Sequence, residues 1–111
     1  MAYDEEFASR IRAQLAGLDG VFEKAMFGGL AFLLHGNMAV GVMSGGELMV
    51  RVGPYATDDA LSRPHTRRFD MTGRPMTGWI LVDREGVQTE DELGGWVDRG
   101  VAFARSLPPK G

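Results

Sequence analysis

Cysteine is absent from the 111-residue sequence. That excludes disulfides, thiolate metal sites and cysteine nucleophiles. Histidine is scarce: His35 and His65 are the only two. No His-Glu-x-x-His, EF-hand loop or other ligand spacing occurs, so no metal is expected. No Gly-x-Ser-x-Gly elbow is present, and Ser9, Ser44, Ser62 and Ser106 fall in predicted helix, turn or helix end. No catalytic residue is therefore assigned, and the chain is expected not to be an enzyme, an uncharacterised enzyme being the weakest of the alternatives. The glycine-rich "MFGGL" and "MSGG" match neither a P-loop nor a dinucleotide fingerprint. Both lie between predicted strands, where no helix terminus is available for a phosphate, so no cofactor is expected. Long apolar runs are missing: "LAFLL" is far below the roughly 18–20 residues of a membrane span. The N-terminal "MAYDEEFASR" is acidic and lacks a basic segment followed by an apolar one, so no secretory leader is expected and the location is read as cytoplasmic. Positive charge is not in excess: the net charge is −3, which is not the footprint of a dedicated nucleic-acid binder.

What is present is an ordinary globular balance, 44% apolar and 24% charged residues, in a length that fits one domain with its core over about residues 5–107. Phe7, Ile11, Leu15 and Leu18 recur at helical spacing and predict a helix over 4–18, with Asp4, Glu5 and Glu6 at the positive end of its dipole. Residues 21–34 read as one strand kinked at Gly28-Gly29, a pair that suggests a bulge or a close backbone approach. Residues 38–43 and 47–52 continue an antiparallel meander through turns at His35-Gly36-Asn37 and Ser44-Gly45-Gly46. "TDDALSR" (57–63) predicts a short helix with Thr57 as N-cap, stopped before Pro64. Residues 66–71 and 78–83 predict two further strands joined by a Gly73-Arg74-Pro75 turn. Thr89 and Glu92 form a capping box for a last helix, which Pro108-Pro109 ends. The order α-β(3)-α-β(2)-α predicts a two-layer α+β fold, an antiparallel sheet with helices on one face.

Alternation assigns the strand side chains. Leu30, Phe32, Leu34, Met38, Val40, Val42, Leu48, Val50, Val52, Ile80 and Val82 share the parity expected against the helices. The other parity holds Ala31, Leu33, Ala39, Gly41, Met43, Met49, Arg51, Trp79 and Leu81. A sheet face open to water is normally more polar. Either the chain's own loops or the short middle helix cover this one, or it is an interface. Leu33, Met43, Met49, Trp79 and Leu81 are the candidate interface residues, for a protein partner or for a homodimer through the face or a sheet edge.

The stretch "RRFDMTGRPMTGWILVD" (67–83) looks most like a motif. Its glycines and proline are explained by turn chemistry, and Trp79 by anchoring a core or an interface. Arg63, His65, Arg67, Arg68 and Arg74 form a basic cluster. It is either a solvated face or a site for phosphate, carboxylate or a nucleic-acid backbone, and the net charge makes nucleic acid the weaker possibility.

"KAMFGGLAFLLHGNMAVGV" (24–42), "LMVRVGP" (48–54), "FDMTGRPMTGWILVD" (69–83) and "WVDRGVAFARSLPPK" (96–110) together resemble the N-terminal domain of the TfoX/Sxy family, over about residues 5–110. The resemblance implies an α-β(3)-α-β(2)-α fold of secretion-chaperone-like architecture. Named members regulate natural competence, so the resemblance implies a role in assisting the cyclic-AMP receptor protein at promoters, through contact with protein or with DNA. No catalytic residues are attached to this domain in the family. Longer members add a C-terminal domain of helical hairpins. This sequence ends at Gly111, so the resemblance is to a single-domain member.

Overall fold

The computed structural model describes residues 3–26, 28–71 and 74–110, with Met71, Arg74 and Pro75 described in backbone only. The elements run α1 (Glu5–Leu15), β1 (Val21–Met26), β2 (Gly29–Leu34), β3 (Asn37–Val42), β4 (Leu48–Arg51), α2 (Thr57–Leu61), β5 (Thr66–Met71), β6 (Arg74–Val82), a 3-10 turn at Arg84–Gly86, and α3 (Glu90–Ser106). The strands form one antiparallel sheet in the order β1-β2-β3-β4-β6-β5. Phe7, Ile11 and Leu15 of α1, Ala60 of α2 and Leu93, Val97 and Ala104 of α3 bury against Phe32, Val40, Val50, Ile80 and Val82 in a single core. The fold is thus α+β, with helices on one face of an open sheet, as the patterning predicts.

Helix ends follow local chemistry. Asp4 caps α1 by accepting from the Glu6 and Phe7 amides at 3.0 and 3.1 Å. The capping box of α3 is complete: the Glu92 amide donates to Thr89 Oγ1 and the Thr89 amide to Glu92 Oε1. Between β2 and β3, His35 and Gly36 both take positive φ, 50° and 85°, as a two-residue I′ turn demands.

Three expectations need correction. The first concerns residues 21–34, which form two strands, so the order is α-β(4)-α-β(2)-α. The glycine pair makes a hairpin, not a kink. Gly28 takes a φ of +75° in the turn, and a Cβ on Gly29 would run into the Val42 carbonyl. The second concerns β3. Phe32 faces Val40, yet the next residue, Leu33, faces Met38. Ala39 is therefore an extra residue, and a bulge of this kind reverses which face the chain presents beyond it. Ala39 turns into the core beneath α3 and Met38 turns to the open face, the opposite of what strict alternation predicts. The third concerns Thr57. Ala56, not Thr57, stands at the N-cap of α2. The Thr57 hydroxyl instead donates to the Gly53 carbonyl at 2.8 Å and accepts from the Gly78 amide at 2.9 Å. That tie locks α2 to β6 where Gly78, with φ +95°, bends the strand just before Trp79. The predicted Gly73-Arg74-Pro75 turn falls partly outside the described residues; the backbone of Arg74 and Pro75 already belongs to β6.

Candidate functional site

The sheet face away from the helices carries its own apolar cluster. Met49, Phe69 and Leu81 are buried at its centre, and Met38, Met43, Met76 and Trp79 pack half-buried around them. The register explains the grouping. Ala31, Gly41, Met49 and Leu81 lie in one row across β2, β3, β4 and β6, and Trp79 is the next residue on the same side of β6. Ala31 and Gly41 are small, and the Met49 methyl folds over Gly41, 3.2 Å from where a Cβ would stand, while larger neighbours rise around them. The result is a cleft of about 210 Å³ lined by Met26, Leu30, Ala31, Met38, Gly41, Val42, Met43, Met49, Phe69, Met76 and Trp79. Five of the chain's seven methionines line it, and no lining side chain is ionisable. Methionine is unbranched and polarizable, so such a wall adapts to what it meets.

Arg51 stands at the Trp79 end of this face. Its guanidinium carbon lies 4.9 Å from the centre of the Trp79 ring and 5.3 Å from that of Phe103. Cations are held over aromatic faces by the ring quadrupole. Partial burial pushes the Arg51 pKa below its usual value, though an arginine remains charged at any physiological pH. Among the described residues no carboxylate lies within salt-bridge distance of it.

Of the five candidate interface residues, Met43, Met49 and Trp79 line the cleft and Leu81 packs beneath it. Leu33 sits apart, beside Phe22 and His35 near the β1 edge. Met26, Met38, Phe69 and Met76 belong to the cleft and are not on the sequence-based list. Met38 was concealed by the bulge. The repeated methionines were the one available signal for the rest.

The basic residues are distributed differently. Arg67 faces the open side and ion-pairs with Glu47 and Asp83, each at 2.9 Å. These pairs raise its pKa, the hydrogen bond to Asp83 most. Arg68 is the next residue along β5 and faces the other way. Arg63 and His65 lie together in a polar cleft of about 570 Å³ between α2 and α3, with Asp59, Asp91, Glu92, Trp96 and Arg99. There Asp59 takes both Arg99, at 3.1 Å, and Arg63, at 3.6 Å, so the charges of that cleft largely neutralise one another. The Arg74 side chain lies outside what the structure describes. Only Arg63 and His65 of the predicted cluster are therefore brought together. Among the described residues no group of three or more acidic or histidine side chains is placed to hold a metal ion, and no helix is long and apolar enough to cross a membrane.

Comparison with curated proteins gives no match. The sequence does match the TfoX N-terminal domain over residues 13–104, from the second half of α1 almost to the end of α3. A match spanning all six strands, α2 and nearly all of α3 places the chain: it belongs to the TfoX N-terminal domain family.

Proposed function

We propose that the protein is a non-enzymatic interaction module of the competence-regulator class, which docks another protein on the sheet face opposite its helices. The observation that supports this reading is the face itself. Met38, Met43, Met76 and Trp79 stay half-exposed around Met49, Phe69 and Leu81, and no described helix packs on them. Contiguous apolar surface of this kind marks interaction sites more often than it occurs by chance.

A second copy of the chain is the occupant we favour, packed face to face. Six strands about 4.8 Å apart and six residues long present roughly 600 Å². That falls below the roughly 800 Å² per partner of a standard stable interface, so the dimer is expected to be weak and transient. Pairing along the β1 edge is less favourable. A two-fold axis normal to the sheet brings residues of equal parity together, so pairing centred on β1 sets Glu23 against Glu23 or Lys24 against Lys24, and like charges directly opposite destabilise a ladder.

Sedimentation velocity across roughly 5–500 µM tests the reading. The expected result is a weight-average mass that rises with concentration, and a return to one chain mass in Met43→Glu. A single-chain mass throughout the range would overturn self-association. Docking of a different protein would then require a binding partner whose affinity is lost in the same variant.

A further inference from the structure

We propose that the methionine-lined cleft binds a small amphiphile, a compact apolar body carrying one anionic group, with the body among Met38, Met43, Met49 and Met76 and the anion held at the Trp79 end by Arg51. This goes beyond the docking reading and does not depend on it.

Size comes first. A dry apolar cavity of about 150 Å³ is enough for a benzene ring. At about 210 Å³ the cleft suits a slightly larger body, roughly a fused bicyclic ring or an eight-carbon chain. That is below the roughly 300 Å³ at which drug-sized sites begin, so the part of a ligand seated in the cleft is small.

Chemistry of the wall comes second. Eleven residues line the cleft and none is charged, so the buried end of the ligand must be apolar. A polar group there would lose its hydration without a partner. Backbone amides of the strands are already committed to the ladders on either side. The flexible thioethers provide surface that closes around flat or linear bodies, and sulfur–aromatic contact with a ring is itself favourable.

Charge comes third. Arg51 is half-buried, seated beside the Trp79 and Phe103 rings and free of any described carboxylate. Most other arginines on the molecule are paired: Arg10, Arg12, Arg63, Arg67, Arg84 and Arg99 all hold carboxylates within 4.0 Å. A planar, weakly hydrated guanidinium beside an apolar cleft favours a carboxylate or sulfonate. The polar cleft around Arg63 and Arg99 lacks this combination, because Asp59 already occupies both cations.

The test uses octanoate as the probe, with 1-octanol as its uncharged counterpart, followed by the methyl signals of the methionines in carbon–proton NMR spectra. The expected result is a saturable shift of the Met38, Met43, Met49 and Met76 methyls, at least fivefold tighter for octanoate than for 1-octanol. Arg51→Gln should erase that difference and leave 1-octanol binding unchanged. Ala31→Phe, which sets a ring on the floor of the cleft, should abolish both. If Ala31→Phe fails to fold, the Arg51→Gln comparison decides alone. Three outcomes overturn the proposal: no saturable shift up to millimolar probe, equal affinity for the two probes, or octanoate binding indifferent to Arg51. Sedimentation of the octanoate-saturated protein separates this result from self-association.

Discussion

At the scale of single residues, two glycines on α3 behave in opposite ways. A Cβ at Gly100 would lie 2.5 Å from the Ala39 carbonyl oxygen and 2.7 Å from Val40 Cγ1. The helix rests directly on β3 there, over the bulged residue. Gly100→Ala must push helix and strand apart, and it is expected to lower stability by about 1–3 kcal/mol. At Gly95 a Cβ would meet nothing within 4 Å. Gly95→Ala is expected to raise stability by about 0.5–1 kcal/mol, since alanine loses less backbone freedom in a helix. Urea denaturation of the pair checks both signs, and two changes of the same sign would contradict this packing of α3. Thr57 makes a second residue-scale case. Its removal as Thr57→Val leaves the buried Gly78 amide without its acceptor, whereas the Gly53 carbonyl keeps a bond from the Ala56 amide at 3.3 Å. The expected loss is about 1–3 kcal/mol, and Thr57→Ser, which keeps the hydroxyl, should recover most of it.

At the scale of elements, the two long helices begin on carboxylates, and this sets an acid limit. Asp4 is held below its ordinary pKa by its bond to Arg84 and then by the Phe7 amide. Glu92 is held low chiefly by the Thr89 amide. A carboxylate with a depressed folded-state pKa contributes stability above its unfolded pKa of about 4, and that contribution is lost as pH falls through the folded value. Stability should therefore decline from about pH 5 to pH 3. The double variant Asp4→Asn, Glu92→Gln should decline less over the same window, as followed by urea midpoints at several pH values. Equal slopes would mean that the caps are not what titrates. The α3 cap was legible because Thr89 and Glu92 lie three residues apart, whereas Asp4 read as part of an acidic first turn and proves to be the N-cap before it. The helix-facing strand residues were legible for a similar reason, since Val40, Val50, Ile80 and Val82 keep strict alternation. What was not legible was non-local. Nothing in "MFGGL" distinguishes a bulge from a hairpin until Met26 is seen paired with Gly29. Nothing in "GNMAVGV" announces that Ala39 is the extra residue, because a bulge belongs to the pairing of two strands and not to either alone. The cleft shares that origin. Its methionines come from β1, β3, β4, β6 and the β3–β4 turn, and only the sheet order makes them neighbours. Arg67 reads as part of a basic run, yet its partners Glu47 and Asp83 lie 20 and 16 residues away.

At the scale of the whole molecule, stability should be graded across the sheet. The central strands β3, β4 and β6 are covered by the helical core on one side, and β4 and β6 also by the methionine cluster on the other. β1 is an edge strand whose inner residues Phe22 to Ala25 are all exposed. Besides Val21 and Met26 at its ends, which meet the helical core and the cleft, its ties to the rest are the ladder to β2 and the pairing of Glu23 with Arg12 of α1, bonded at 2.6 and 2.8 Å. Local opening costs least where few apolar contacts are lost. Hydrogen exchange should accordingly be fastest along β1 and slowest at Val40, Val50 and Ile80, where opening requires breaking the core. Arg12→Ala removes the lateral tie without touching the core. It should speed exchange in β1 severalfold and leave Val50 and Ile80 unchanged, because an exposed ion pair contributes little to global stability. If β1 amides in the wild-type chain are as protected as those of Val50, the edge is covered in solution by something the single chain does not contain, and the like-charge argument against pairing along β1 fails with it.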